Sequence, residues 1–342
     1  MVRKLASIQV VDQLIPIENA DKIEIAKILG WQVVVKKGEF NPGDRCVFFE
    51  IDSVLPKDAP WADFMESKKY RVKSCKLRGA LSQGLALPID ILPENYNAEV
   101  EEDVTEVLGV KKYEIPFVVD PNAKNQRQKV KRIANFPPYI PKTDEIRIQS
   151  APRLLDEIKE KSFYISVKCD GTSCTIAKLD GELIVCSRNW KLEKGDKNSY
   201  WRVAKKYHMD EVLPEGYAVQ GELCGPGIQK NRLGLDDFDL FVFNVFDIKN
   251  GKYLDFWSFV DFCKTRELKI VPIERVVQSD EACQFDCSIE NFLELAKGTY
   301  QGTKNRREGI VIRPLIETHS QVLKGRLSFK VLNNDYLLKD ED

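Results

Sequence analysis

Six short segments rich in apolar and β-branched residues follow one another near the start of the chain: Leu5–Val11, Lys22–Leu29, Trp31–Lys37, Arg45–Ile51, Tyr70–Leu77 and Leu81–Leu87. Turn formers such as Asn41-Pro42-Gly43-Asp44 separate them, and no long stretch of helical spacing interrupts them. Strands this short and this many are best accommodated by a sheet that closes on itself. The pattern predicts a small β-barrel of the oligonucleotide-binding (OB) class over residues 1–118, with the sixth strand either part of the barrel or an extension of it.

The chain has 342 residues, enough for two domains with separate cores. Residues 119–141 change character. They hold Pro121, the basic series Lys124, Arg127, Lys129, Lys131 and Arg132, then Pro137-Pro138 and Pro141, and read as a connector. Beyond it, residues 142–342 read as an α+β domain of mostly antiparallel strands. Phe163–Lys168, Ser173–Leu179 and Glu182–Ser187 are expected strands, the last two joined by Asp180-Gly181 as a tight hairpin. Asn250-Gly251 marks a second hairpin. Helical spacing recurs at Tyr200, Val203, Ala204 and Tyr207, and again from a Ser288 cap to a Gly298 stop.

Net charge carries no message, because 52 Lys and Arg nearly cancel 53 Asp and Glu. Local charge does: Lys68, Lys69, Arg71, Lys73, Lys76 and Arg78 crowd one expected strand with no acid between them. In an extended chain Lys69, Arg71 and Lys73 share a face that would track a phosphate backbone. Nine cysteines form no Cys-x-x-Cys pair and only His208 and His319 are available beside them, so no zinc site is expected and free thiols in a reducing compartment are. No signal peptide and no apolar stretch of membrane-spanning length is found, which predicts an intracellular, cytoplasmic protein without a membrane partner.

The chemistry centres on Lys168-Cys169-Asp170-Gly171, a lysine at the end of an apolar strand where the chain turns. In order after it come Ser187-Arg188-Asn189, the string from Gly221-Glu222-Leu223 through Gly225-Pro226-Gly227 to Lys230, the strand Phe241–Ile248, then Glu308-Gly309-Ile310-Val311-Ile312 and Phe329-Lys330-Val331. This series resembles the nucleotidyltransferase motifs of covalent polynucleotide ligases, in particular RNA ligases of the Naegleria and Deinococcus type with an N-terminal OB domain. The resemblance covers roughly residues 142–335.

It implies an ATP-dependent RNA ligase that seals 3′-hydroxyl and 5′-phosphate ends, at nicks in duplex RNA, through a lysyl-AMP intermediate. By it Lys168 is the nucleophile. Asp170, Glu222 and Glu308 bind Mg2+ or Mn2+ through its waters, and Arg147, Val167, Arg188, Glu222, Phe246, Ile310, Lys330 and Lys324 bind the nucleotide, with Phe246 stacking on adenine and Ile310 or Val311 closing the other side. Lys69, Arg71 and Lys73 bind nucleic acid, and a monomer is expected. An ordinary lysine is almost wholly protonated at neutral pH, and surrounding acids hold it so; a divalent cation would relieve that conflict. One departure stands out: relatives carry two lysines one residue apart where this chain has Ser328-Phe329-Lys330, with Lys324 as a substitute. A DNA ligase, a GTP-using capping guanylyltransferase and an inactive nucleic-acid-binding module are the alternatives.

Overall fold

The computed structural model describes residues 3–113, 131–195 and 198–339. They form two compact units, one from residues 3–113 with 148–152, the other from 131–147 with 153–339. Among the described residues no helix is long and apolar enough to cross a membrane.

The first unit is built from the expected short strands. Ala6–Val10, Arg45–Phe49 and Leu85–Pro88 pair antiparallel in one sheet, and Gln13–Pro16, Ile23–Ile28 and Trp31–Lys36 in another. Alternation along Arg45–Phe49 sends Val47 and Phe49 into one apolar cluster and Cys46 and Phe48 into a second, so this strand divides two cores. The Trp31–Lys36 strand meets Ala80–Gln83 through side chains: Gln32 donates to the Leu81 carbonyl at 2.9 Å and the Val34 amide to Ser82 Oγ at 3.0 Å.

Two expectations fail in this unit. Leu81–Leu87 is not one strand but two, Ala80–Gln83 and Leu85–Pro88, interrupted at Gly84. The basic strand from Tyr70 begins only at Ser74, because the 3-10 helix Pro60–Lys68 ends at Lys69 and Tyr70, both with left-handed backbone (φ +53° and +59°). The cation row therefore dissolves. Lys69 and Lys73 are exposed, while Arg71 binds Asp52 at 2.6 Å and lies 3.5 Å above the Tyr113 ring.

The second unit holds two sheets. A seven-stranded sheet runs in the order Arg132–Asn135, Trp190–Leu192, Glu182–Ser187, Thr172–Leu179, Tyr217–Cys224, Asp239–Asp247, Lys252–Tyr253. A five-stranded sheet runs Ile146–Arg147, Phe329–Leu332, Gly309–Pro314, Phe163–Lys168, Ile273–Val277. The end of the expected connector is thus the edge of the larger sheet, with Arg132 5.0 Å from the Trp190 ring and Lys131 bound to Glu193 at 2.7 Å. Lys124, Arg127 and Lys129 lie outside the described residues.

One face of the larger sheet (Ile176, Val219, Val242, Val245) is buried under the helices Ser199–Lys206 and Phe256–Lys264. The helix Ile289–Ala296, capped by Ser288 accepting from the Asn291 amide at 3.2 Å, covers one face of the smaller sheet, where Phe292 meets Phe163 and Phe329. The opposite faces are mixed: the larger sheet sets Gln220 and Glu222 there beside Ala218 and Phe246, the smaller sheet Ser166 and Lys168 beside Tyr164 and Val311.

Candidate active site

Lys168 closes its strand opposite Gly309. A Cβ at Gly309 would lie 2.1 Å from the Val331 carbonyl oxygen, and its φ is +153°, so only glycine lets its strand run this close to Phe329–Leu332 on its other side. Gly171 serves the turn likewise: a Cβ there would lie 2.4 Å from the Leu223 oxygen. The Lys168-Cys169-Asp170-Gly171 turn is thereby pressed onto the Glu222 strand.

The Lys168 ammonium donates to Glu308 Oε2 at 2.6 Å. Burial alone would lower its pKa, but Glu308, Glu222 and Asp170 outweigh that and hold it above the ordinary lysine value. Glu222 shows the other side of the same crowd: burial first, then the charges of Glu308 and Asp170, push its carboxyl up to about 7 against the pull of Lys168. Asp170 is also raised, by burial and Glu308, although Arg232 Nε lies 3.1 Å from its Oδ2.

Register decides which other predicted residues reach this face. Directly paired residues of adjacent strands project to the same side. Val311 pairs with Ser166 and Lys330, and Lys330 pairs in parallel with Arg147, so Ser166, Val311, Lys330 and Arg147 share the Lys168 face. Val167 pairs with Ile310 and Ile310 with Val331, one residue out of phase, and these side chains face the opposite way. Val167 and Ile310 are therefore corrected to core positions; Val311 is the aliphatic residue on the site face. The Lys330 pKa is pushed down to about 8 by burial and by the neighbouring charges of Lys168 and Arg147.

Across from this face lies the Glu222 side of the seven-stranded sheet. A bulge at Phe243 shifts parity along Asp239–Asp247, so that Phe241 pairs with Glu222, Asn244 with Gln220 and Phe246 with Ala218, all on one face. Simple alternation, which sets Phe241 against Phe246, is overturned here. Phe246 is 4% exposed, packed with Phe136 and Ile140 and edge-on to Tyr253 at 5.0 Å.

Two predicted cations lie outside these strand pairings. Arg188 is exposed and engages Asp144. Lys324 occupies an exposed turn (φ +51°) between the short paired strands His319–Ser320 and Gly325–Arg326, off the strand that bears Lys330, and does not replace a lysine at position 328.

Sequence reasoning missed a buried node further along the site face. Arg313 Nε donates to Ser328 Oγ at 2.9 Å, Nη1 to the Phe243 carbonyl at 3.2 Å, and Nη2 to Glu145 Oε1 at 2.7 Å. Both charged residues were adjacent to recognised strings, Arg313 one residue past Ile312 and Glu145 two before Arg147, but nothing in the sequence pairs them. Arg232, two residues past Lys230, was missed in the same way.

A divalent ion fits the donor set. Three carboxylates face one amine, an excess of negative charge made of oxygen donors suited to Mg2+ or Mn2+. Among the described residues no three acids, cysteines or histidines are set as a direct metal cage.

An OB-fold domain model matches residues 5–89, and an RNA ligase model matches residues 161–332. The structure is similar to that of Naegleria gruberi RNA ligase with pyrophosphate, at 34% identity and a TM-score of 0.86 over 100% of both chains. It is similar as well to a lysine-to-alanine variant of that enzyme with ATP and Mn (33%, 0.85, 98% of each chain) and to a glutamate-to-alanine variant with AMP and Mn (34%, 0.85, 98% of each chain). No curated protein sequence matches the chain.

Proposed function

The chain belongs to the RNA ligase family, and on that premise we propose that it is an ATP-dependent RNA ligase working through an adenylate carried on Lys168. The observation that carries the reading is the convergence on one amine of Glu308 at 2.6 Å, Glu222 and Asp170, beside the cations Lys330 and Arg147.

In the first step Lys168 Nζ attacks the α-phosphorus of ATP; the phosphorus–nitrogen bond forms as the bond to pyrophosphate breaks. The ammonium must first lose a proton, and Glu308 Oε2, already its hydrogen-bond acceptor, takes it. Asp170, Glu222 and Glu308 would hold a Mg2+ or Mn2+ ion, whose charge would offset theirs and make an uncharged amine less costly. Lys330 and Arg147 steady the α-phosphate, and the displacement asks for alignment and charge neutralisation more than for further acid and base groups. Phe246 and Val311, on facing sheets, flank the base.

In the second step the 5′-phosphate of an RNA end takes AMP from Lys168. In the third, the neighbouring 3′-hydroxyl attacks that activated phosphate and AMP leaves, with Lys168 no longer the nucleophile. The first unit grips the duplex around a nick through its exposed cations, Lys69 and Lys73 among them, while Arg188 meets the incoming strand.

The test is incubation with α-labelled ATP and Mg2+ or Mn2+, then denaturing electrophoresis. A labelled band, released by acid as a phosphorus–nitrogen bond requires, is expected from the parent chain and none from Lys168→Met. An unlabelled parent, or equal labelling of the variant, overturns the reading; labelling by GTP in preference to ATP would assign it to capping chemistry. Sealing of all-RNA against all-DNA nicks then tests the polymer.

A further inference from the structure

One short loop touches the nucleophile and Glu308 from behind, and reaches Asp170 through Arg232. Tyr300, 5% exposed, projects from it between the ends of the adjacent strands Phe163–Lys168 and Gly309–Pro314. Its hydroxyl donates to the Lys168 carbonyl at 2.9 Å and accepts from the Glu308 amide at 3.1 Å. A single oxygen thus bridges the main chain of the residue that bears the amine to that of the residue whose carboxylate holds it.

The loop itself is fixed. The Tyr300 amide donates to the Asn305 carbonyl at 3.0 Å, and Thr299 and Arg306 pair across its base. Asn305 donates to the Arg232 carbonyl at 2.8 Å, and Arg232 binds Asp170. At the loop's end, Arg307 donates to the carbonyls of Leu295 and Lys297 at the close of the helix Ile289–Ala296 and binds Glu274 at 3.0 Å. Glu308 follows immediately, so its backbone leaves a braced segment.

We propose that Tyr300 is a positioning residue for adenylate formation: its hydroxyl sets the spacing of the Lys168 and Glu308 backbones, so that amine and carboxylate meet in register for proton transfer and attack. The inference rests on the Lys168 adenylate reading. An error of about 1 Å in placing reacting groups costs on the order of a hundredfold in rate. Loss of one main-chain bridge, with the strands still paired, accordingly gives about a 10- to 100-fold loss.

The step that uses the lysine as nucleophile is the one affected. Sealing of RNA already carrying AMP on its 5′-phosphate calls on the fold and the phosphate site but not on lysine attack, so it serves as the internal control. The experiment compares the full chain with Tyr300→Phe in two assays: the single-turnover rate of self-adenylylation at saturating ATP, and sealing of pre-adenylylated nicked RNA. The expected result is an adenylylation rate constant lowered about 10- to 100-fold, an ATP half-saturation within about threefold of parent, and sealing of pre-adenylylated RNA within about threefold. Equal adenylylation rates overturn the proposal. A parallel loss in both assays, or a variant too unstable to assay, overturns it too, by showing that the hydroxyl serves the fold at large. If the parent itself forms no adenylate, the functional reading fails instead.

Discussion

Replacing Glu145 by Gln keeps shape and an acceptor oxygen but removes the counter-charge of a guanidinium with almost no access to water. The Arg313 side chain is 3% exposed and that of Glu145 14%. Removing one member of a buried ion pair typically costs about 3–5 kcal/mol, because the other charge stays buried. Arg313 keeps its bonds to Ser328 and the Phe243 carbonyl, and the amide oxygen of Gln still accepts a hydrogen bond, which brings the expectation to about 2–4 kcal/mol. For a unit of this size that is a melting temperature lowered by about 5–12 °C.

The loss has a pH signature. Burial would raise the Glu145 pKa, but Arg313, Arg326 and the Ser328 hydroxyl outweigh it, so the folded carboxyl lies below its ordinary value. Its contribution is therefore fully present above the unfolded value of about 4.3 and disappears as the pH falls through the folded one. Thermal melts of parent and variant should differ by a constant gap from pH 7 to pH 5, and the gap should narrow below pH 4, where the parent carboxyl becomes neutral as well. A variant melting within about 1 °C of parent at pH 7, or a gap that widens in acid, would refute the assignment of the pair as a stabilising node.

Two further outcomes bear on the ligand surfaces. Phe246→Leu keeps apolar volume and removes the aromatic face, so stability should fall by less than about 1.5 kcal/mol while the ATP half-saturation for self-adenylylation rises about 5- to 100-fold, the worth of one stacked base; an unchanged ATP dependence would remove Phe246 from base binding and leave it a core residue. Neutralising Lys69 and Lys73 together, with Arg71 retained for its contacts to Asp52 and Tyr113, should spare self-adenylylation and weaken binding of nicked duplex, the slope of log affinity against log salt falling by about 1–2. Equal affinity and slope across salt concentrations would exclude both lysines from the phosphate contacts.

Features written in adjacent residues were legible. Asp180-Gly181 adopts the paired positive φ values, +52° and +74°, that a tight hairpin demands, and Ser288 caps its helix. The order of site strings was legible too, since strand ends bearing Lys168, Glu222 and Glu308 converge however the loops between them run. Facing was not. Alternation assigns sides only while a strand remains regular, and it broke at the Phe243 bulge and at the left-handed pair Lys69-Tyr70. Nor does sequence show in which phase a regular strand is laid down: Ile310 and Val311 are equally apolar, and only pairing with Ser166 and Lys330 puts Val311 on the site face. Tyr300 carried no signal, because its partners are main-chain atoms that every residue has.

The missing second lysine follows from the same geometry. Ser328 lies on the Lys330 face of its strand, two residues back, but it is 4% exposed and its hydroxyl accepts from Arg313 Nε. A lysine there would bring an ammonium against a guanidinium already committed to Glu145, a like-charge contact with little water to screen it. Arg147, on the parallel neighbouring strand, is the cation beside Lys330 on the same face. That arrangement leaves Lys330 facing two like charges, Lys168 and Arg147, which with burial is why its pKa falls to about 8. A bound phosphate reverses the balance: its negative charge lowers the cost of all three cations at once and draws Lys330 back to full protonation. Three cations gathered on one face are thus stabilised together by an anion placed among them.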